Sequence, residues 1–73
     1  MAETIQADMN ARVWKILVAP SDRIEEATQV MILESMKMEI PIIAETAGIV
    51  VKLLVSEGDN VTPGQPLVDV AAG

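Results

Sequence analysis

VWKILVAPSD, residues 13–22, and VVKLLVSEGD, residues 50–59, are two copies of one pattern set 37 positions apart. Val13 falls on Val50, Lys15 on Lys52, Leu17 on Leu54, Val18 on Val55 and Asp22 on Asp59. The register runs outward from there without a gap. Ala7 meets Ala44, Ile16 meets Leu53, Ile24 meets Val61, Val30 meets Leu67, Met31 meets Val68 and Leu33 meets Val70. The 73 residues are therefore read as a single domain, 1–73, built from two halves, about 1–36 and 38–73, joined at Lys37. Two copies are too few for a solenoid, whose units need neighbours on both sides. Two half-barrels that close on one another cover both apolar faces and leave few open edges.

The residue types agree with strands. VWKILV (13–18), QVMILE (29–34), MEIPIIA (38–44), GIVVKLLV (48–55) and PLVDVA (66–71) are short and rich in β-branched residues, with shorter strands expected around Ile5, Ile24 and Val61. SEGD (56–59) and TPGQ (62–65) carry turn chemistry, Pro63 then Gly64 fitting the central pair of a type II turn. SDRIEEAT (21–28) has the look of a capped helix start, but a strand follows it and the repeat argues against a helix. No segment sustains a helical period over three turns. The predicted fold class is all-β: a flattened, pseudo-two-fold barrel or sandwich of eight short strands.

Two local expectations follow. Ser21 and Ala27 stand where the second half has Gly58 and Gly64. A non-glycine residue at positive φ costs roughly 1 kcal/mol or more, so one or both first-half turns are expected to take another geometry and leave residues 19–28 looser. Trp14, the lone aromatic residue, is expected to fill core space in a chain without phenylalanine.

Composition excludes several functions. A net charge of −6 and a pI near 4.3 argue against nucleic acid and anionic lipid as partners. With no cysteine and no histidine there is no thiolate, disulfide or imidazole base, and a chain this small has no room for a large catalytic cleft. A self-contained enzyme is not expected. The longest apolar runs, 40–44 and 49–55, are too short to span a bilayer, and Met-Ala-Glu-Thr carries no secretory n- or h-region. The reading is a cytoplasmic protein without a membrane partner.

The symmetry also singles out Lys37, the one position without an image 37 residues away. A two-fold that exchanges the halves brings the chain ends together and places them opposite the 36–38 joint. Around that joint ESMKMEI (34–40) sets Met36 and Met38 on either side of the lysine. Exposed methionine is poorly explained by solubility, so the tip is read as something other proteins contact. An unmodified barrel with a methionine docking patch is one such reading.

The Glu34-Ser35-Met36-Lys37-Met38 run, the following EIPIIAETAGIV and the later V-x-E-G-D-x-V-x-x-G-Q-x-L together resemble the biotinyl domains of the biotin/lipoyl attachment family, over about residues 5–71. The likeness is greatest to small free-standing attachment proteins and to biotin carboxyl carrier domains. It implies the flattened, hammerhead-like eight-stranded barrel of that family, with Lys37 on a hairpin as the covalent attachment point for biotin. It further implies a biotin protein ligase that acylates Lys37, and biotin carboxylase and carboxyltransferase components between which the biotin carries a carboxyl group. Met36 and Met38 would pack on these partners, and Glu34 and Glu39 would assist recognition. Lipoate, in place of biotin or on a dually modified carrier, is the alternative cofactor, since lipoyl domains share the fold; their lysine usually follows aspartate and precedes a small residue, whereas here methionines flank it. The uninterrupted register leaves no residues for the thumb that some carboxylase carriers fold over their biotin.

Overall fold

A computed structural model describes residues 2–72, which form strands and turns and no helix. The strands are β1 (Ala2–Gln6), β2 (Ala11–Ile16), β3 (Arg23–Ile24), β4 (Gln29–Ser35), β5 (Met38–Ile43), β6 (Gly48–Leu53), β7 (Asn60–Val61) and β8 (Pro66–Ala72). They pair antiparallel into two four-stranded sheets, β1-β8-β6-β3 and β5-β4-β2-β7. Shifting every strand number by four turns one order into the other. Each sheet takes two strands from each half, so neither half has a sheet of its own. The particle measures 35 × 17 × 17 Å.

Backbone hydrogen bonds outside the strands repeat the symmetry residue by residue. Val13 N–H donates to Asp59 and Gly58 N–H to Val13; at their images, Val50 N–H donates to Asp22 and Ser21 N–H to Val50. The same holds for Ala7 with Gln65 and Gly64 with Ala7, against Ala44 with Thr28 and Ala27 with Ala44. These bonds cross between the halves and lace β-turns onto the opposing strands. The buried hydrophobic side chains, Val55 excepted, fall into image pairs too: Ala7/Ala44, Val13/Val50, Ile24/Val61, Val30/Leu67, Met31/Val68 and Leu33/Val70, while Val55 has a partly buried image, Val18. Fully burying a residue of the Val, Leu or Ile class contributes about 1.5–3 kcal/mol, and this aliphatic seam between the sheets is the apolar anchor of the fold.

The first-half turns do not take another geometry. Ser21 (φ 77°) and Ala27 (φ 71°) adopt the same left-handed conformation as Gly58 (φ 95°) and Gly64 (φ 85°). Local strain loses to the hydrogen-bond frame. At 19–22 the turn bond from Asp22 N–H to Ala19, the bond from Ala19 N–H to Asp22 Oδ2, and the two bonds exchanged with Val50 all depend on this bend. Each such bond contributes about 0.5–1.5 kcal/mol, so the set outweighs a penalty of roughly 1–2 kcal/mol for one left-handed residue. Residues 25–28 repeat the arrangement, with Thr28 Oγ1 accepting from Glu25 N–H.

Trp14 is not in the core either. The β2–β4 register skips between Val13 and Lys15, so Trp14 is the extra residue of a bulge, and bulges re-aim side chains. It is 36% exposed, with Lys15 Nζ 5.5 Å from the ring centroid. Its image, Val51, occupies the matching skip in β6 and is also exposed. The bulge belongs to the fold in both halves, and an apolar side chain there faces outward whatever its type.

The connectors from β2 to β3 and from β6 to β7 are equal in length, residues 17–22 and 54–59, so no thumb is inserted. The described ends pair, Ala2 opposite Ala71, in the sheet that does not contain the β4–β5 hairpin.

Candidate functional site

The hairpin follows from its ladder. Ser35 pairs with Met38, leaving Met36 and Lys37 as a two-residue loop. Right-handed strand twist favours a turn with φ positive at both central residues, a place usually taken by Asn-Gly or Asp-Gly. Here Met36 (φ 51°) and Lys37 (φ 67°) fill it, each in a region that costs an L-residue about 1–2 kcal/mol. Unlike Ser21 and Ala27, neither donates its N–H to a carbonyl of the other half.

The tip is convex and open. Met36 is 92% exposed and Met38 65%, and Lys37 is exposed between them. Among the described residues neither ion pair involves Lys37, so its Nζ is free to meet another protein. A groove of about 420 Å³ lies between the edge strands β1 and β5, lined by residues such as Ile5, Pro41 and Ile42, and it contains none of Met36, Lys37 and Met38.

Directly behind the tip, three strands place one charged row. Glu34 on β4 faces Glu39 on β5 on one side and Arg12 on β2 on the other. Arg12 Nη2 reaches Glu34 Oε1 at 3.3 Å, which offsets the repulsion expected of opposed carboxylates. Glu34 is partly buried, while Glu39 is exposed with no cation beside it among the described residues. The two glutamates are thus unequal: Glu34 is paired with Arg12, and Glu39 presents an unpaired carboxylate one rung behind the Ser35–Met38 pair that closes the tip. Sequence reasoning missed Arg12. The signal was available in the repeat, where Arg12 and Glu34 replace Ile49 and Ala71, a cross-strand apolar pair in the other sheet.

The eight-stranded, two-sheet architecture is the fold of the biotinyl/lipoyl domains, and Lys37 stands at its exposed hairpin apex. A family model described as biotin-requiring enzyme matches residues 2–70, and the chain belongs to this biotin/lipoyl attachment family. It is 44% identical over 68 residues to the biotin/lipoyl attachment protein of Bacillus subtilis (strain 168), covering 93% of both chains. It is 45% identical over 64 residues to the biotinylated protein TB7.3 homolog of Mycobacterium leprae (strain TN), covering 88% of this chain and 90% of that one. Among solved structures it superposes on the Kluyveromyces lactis urea carboxylase with a TM-score of 0.91 at 32% identity, covering 97% of this chain and 6% of that one.

Proposed function

We propose that this chain is a biotin carrier whose acceptor is Lys37 Nζ. The observation that carries the reading is the solvent-exposed, strained Met36-Lys37 turn, with its amine unpaired and flanked by exposed thioethers. Such an amine fits covalent attachment through an amide. A biotin protein ligase would supply the activated acyl group as biotinyl-adenylate. The amine nitrogen bonds the acyl carbon, the carbon–oxygen bond to phosphate breaks, adenylate leaves, and the ammonium proton passes to the ligase or to solvent. The chain needs no base of its own for this, because activation and proton removal take place on the enzyme that inserts the tip.

Met36 and Met38 supply adaptable apolar contact on either side of the reacting nitrogen, suited to more than one partner surface. Glu39 offers the free carboxylate of the site, while Arg12 holds Glu34 back against the sheet. Biotin, once attached, supplies a ureido ring able to carry a carboxyl group. The chain's part is to present it to the biotin carboxylase and carboxyltransferase sites of a biotin-dependent carboxylase, and without a thumb the arm stays mobile.

The test is the intact mass of the chain after incubation with biotin, ATP, magnesium and a biotin protein ligase. One biotinyl increment, mapped to Lys37, supports the reading. A lipoyl increment from lipoate and a lipoate ligase, with none from biotin, would replace it with lipoate carriage on the same amine. No increment in either reaction would leave an unmodified interaction module.

A further inference from the structure

We propose that Met36 and Met38 form an oxidation site: peroxide converts their thioethers to sulfoxides and thereby withdraws the hairpin from its ligase. The consequence rests on the biotin-carrier reading above; the site itself rests on exposure and sulfur chemistry.

The chain holds five methionines and no cysteine, so no thiolate competes for an oxidant. Position in the fold sorts the methionines sharply. Met31 lies in the core with no exposure, Met9 is partly buried in the β1–β2 connection, and Met38 and Met36 are 65% and 92% exposed; Met1 lies outside the described residues. The turn explains the extreme value. The loop residues project beyond the last rung of the ladder, Ser35 with Met38, and no core side chain is close enough to shelter them.

In the reaction one oxygen of hydrogen peroxide bonds to sulfur as the oxygen–oxygen bond breaks. The sulfur loses two electrons, the peroxide is reduced to water, and no further reactant is needed. The product is polar and chiral where the thioether was apolar and pliable. Two flexible apolar flanks become two dipoles that must be hydrogen-bonded wherever a partner buries them. The lysine amine between them is untouched. Neither methionine belongs to the core, so the fold survives the change, whereas a sulfoxide at Met31 would disrupt it. A loss of acylation would therefore report on recognition.

The experiment treats unmodified full-length protein with hydrogen peroxide, quenches it with catalase, maps the added oxygen by peptide mass, and measures ligase-catalysed biotinylation. The same treatment is given to a Met36→Leu/Met38→Leu variant, each protein being compared only with its own untreated sample. The expected result is increments of about 16 Da appearing first at Met36, then at Met38, with Met31 unchanged. The thermal midpoint stays where it was. The ligase kcat/KM of the treated wild type falls about ten-fold, that of the treated variant stays level with its control, and methionine sulfoxide reductase restores the wild type. Oxidation that begins at Met9 or Met31 overturns the site. A treated wild type acylated as fast as the untreated one overturns the proposal while leaving the carrier reading intact. Failure of the untreated chain to accept biotin sinks the carrier reading and this consequence together.

Discussion

Residues 19–22 and 56–59 trace the same bend, yet one has Ser21 at its left-handed position and the other Gly58. Residues 25–28 and 62–65 repeat the contrast with Ala27 and Gly64. Local preference separates the two halves and the backbone does not. The difference teaches where conformation is decided. Each bend is held by bonds to strands of the opposite half, so the turn takes the shape that the opposing strand requires and tolerates the residue it has. The Met36-Lys37 turn looks alike by φ but has no such bonds. Its strain is set by the hairpin ladder alone, at the joint where Lys37 has no image, and it is there that we place the acceptor amine.

That contrast can be broken in several ways, the largest at Lys37. Lys37→Arg keeps the charge and the turn but removes the acylable amine. Incorporation of biotin should vanish, while arginine at Lys15 or Lys52, an image pair on exposed strand positions, should leave it unchanged. Intact mass after ligase treatment reads all three variants, and residual label on Lys37→Arg would show that position in the symmetry does not select the acceptor.

The next effect concerns Gly48, whose image is Ala11. A Cβ at Gly48 would run into the Ala71 carbonyl oxygen and sit 2.7 Å from Val70 Cγ1. Gly48→Ala should therefore destabilise by about 1–3 kcal/mol through overpacking, a fall of roughly 4–8 °C per kcal/mol for a domain of this size. A thermal melt no lower than that of wild type would mean the β6–β8 approach is looser than drawn.

Smaller changes are expected at the bends. Ser21→Gly and Ala27→Gly relieve left-handed strain of about 1–2 kcal/mol while loosening the unfolded chain by about 0.4–1 kcal/mol. Each should gain roughly 0.5–1 kcal/mol net, and Gly58→Ser or Gly64→Ala should lose about as much. Denaturant melts give the sign. Amide exchange sharpens the same point, since Ser21 and Ala27 should be protected as well as Gly58 and Gly64. Faster exchange in the first half would restore the expectation drawn from residue preference. Least of all, Arg12→Ala should cost no more than about 0.5 kcal/mol, as exposed ion pairs do, measured as a small shift in the urea midpoint.

Much of this was legible before any coordinates. Residue types and turn chemistry placed the strands, and the buried residues all lie at apolar positions that coincide in the 37-residue register, although coincidence alone does not bury Leu17, which is 46% exposed. Lys37 stood out because symmetry left it unmatched, and Met36 and Met38 because apolar residues at a turn need a reason. Alternation and turn residues are local signals, and a repeat reinforces them by stating each one twice.

What the chain alone could not disclose is whatever depends on contacts between strands far apart in sequence. Trp14 faces outward because a skip in the β2–β4 pairing turns it away from the core, and no propensity scale contains that register. Ser21 and Ala27 bend left-handed because carbonyls and amides of the other half pull harder than the local penalty pushes. Arg12 joins the site only when β2 is laid beside β4. Pattern reveals which residues want to be covered, but which neighbour covers them, and at what backbone strain, is settled only when both halves share the same two sheets.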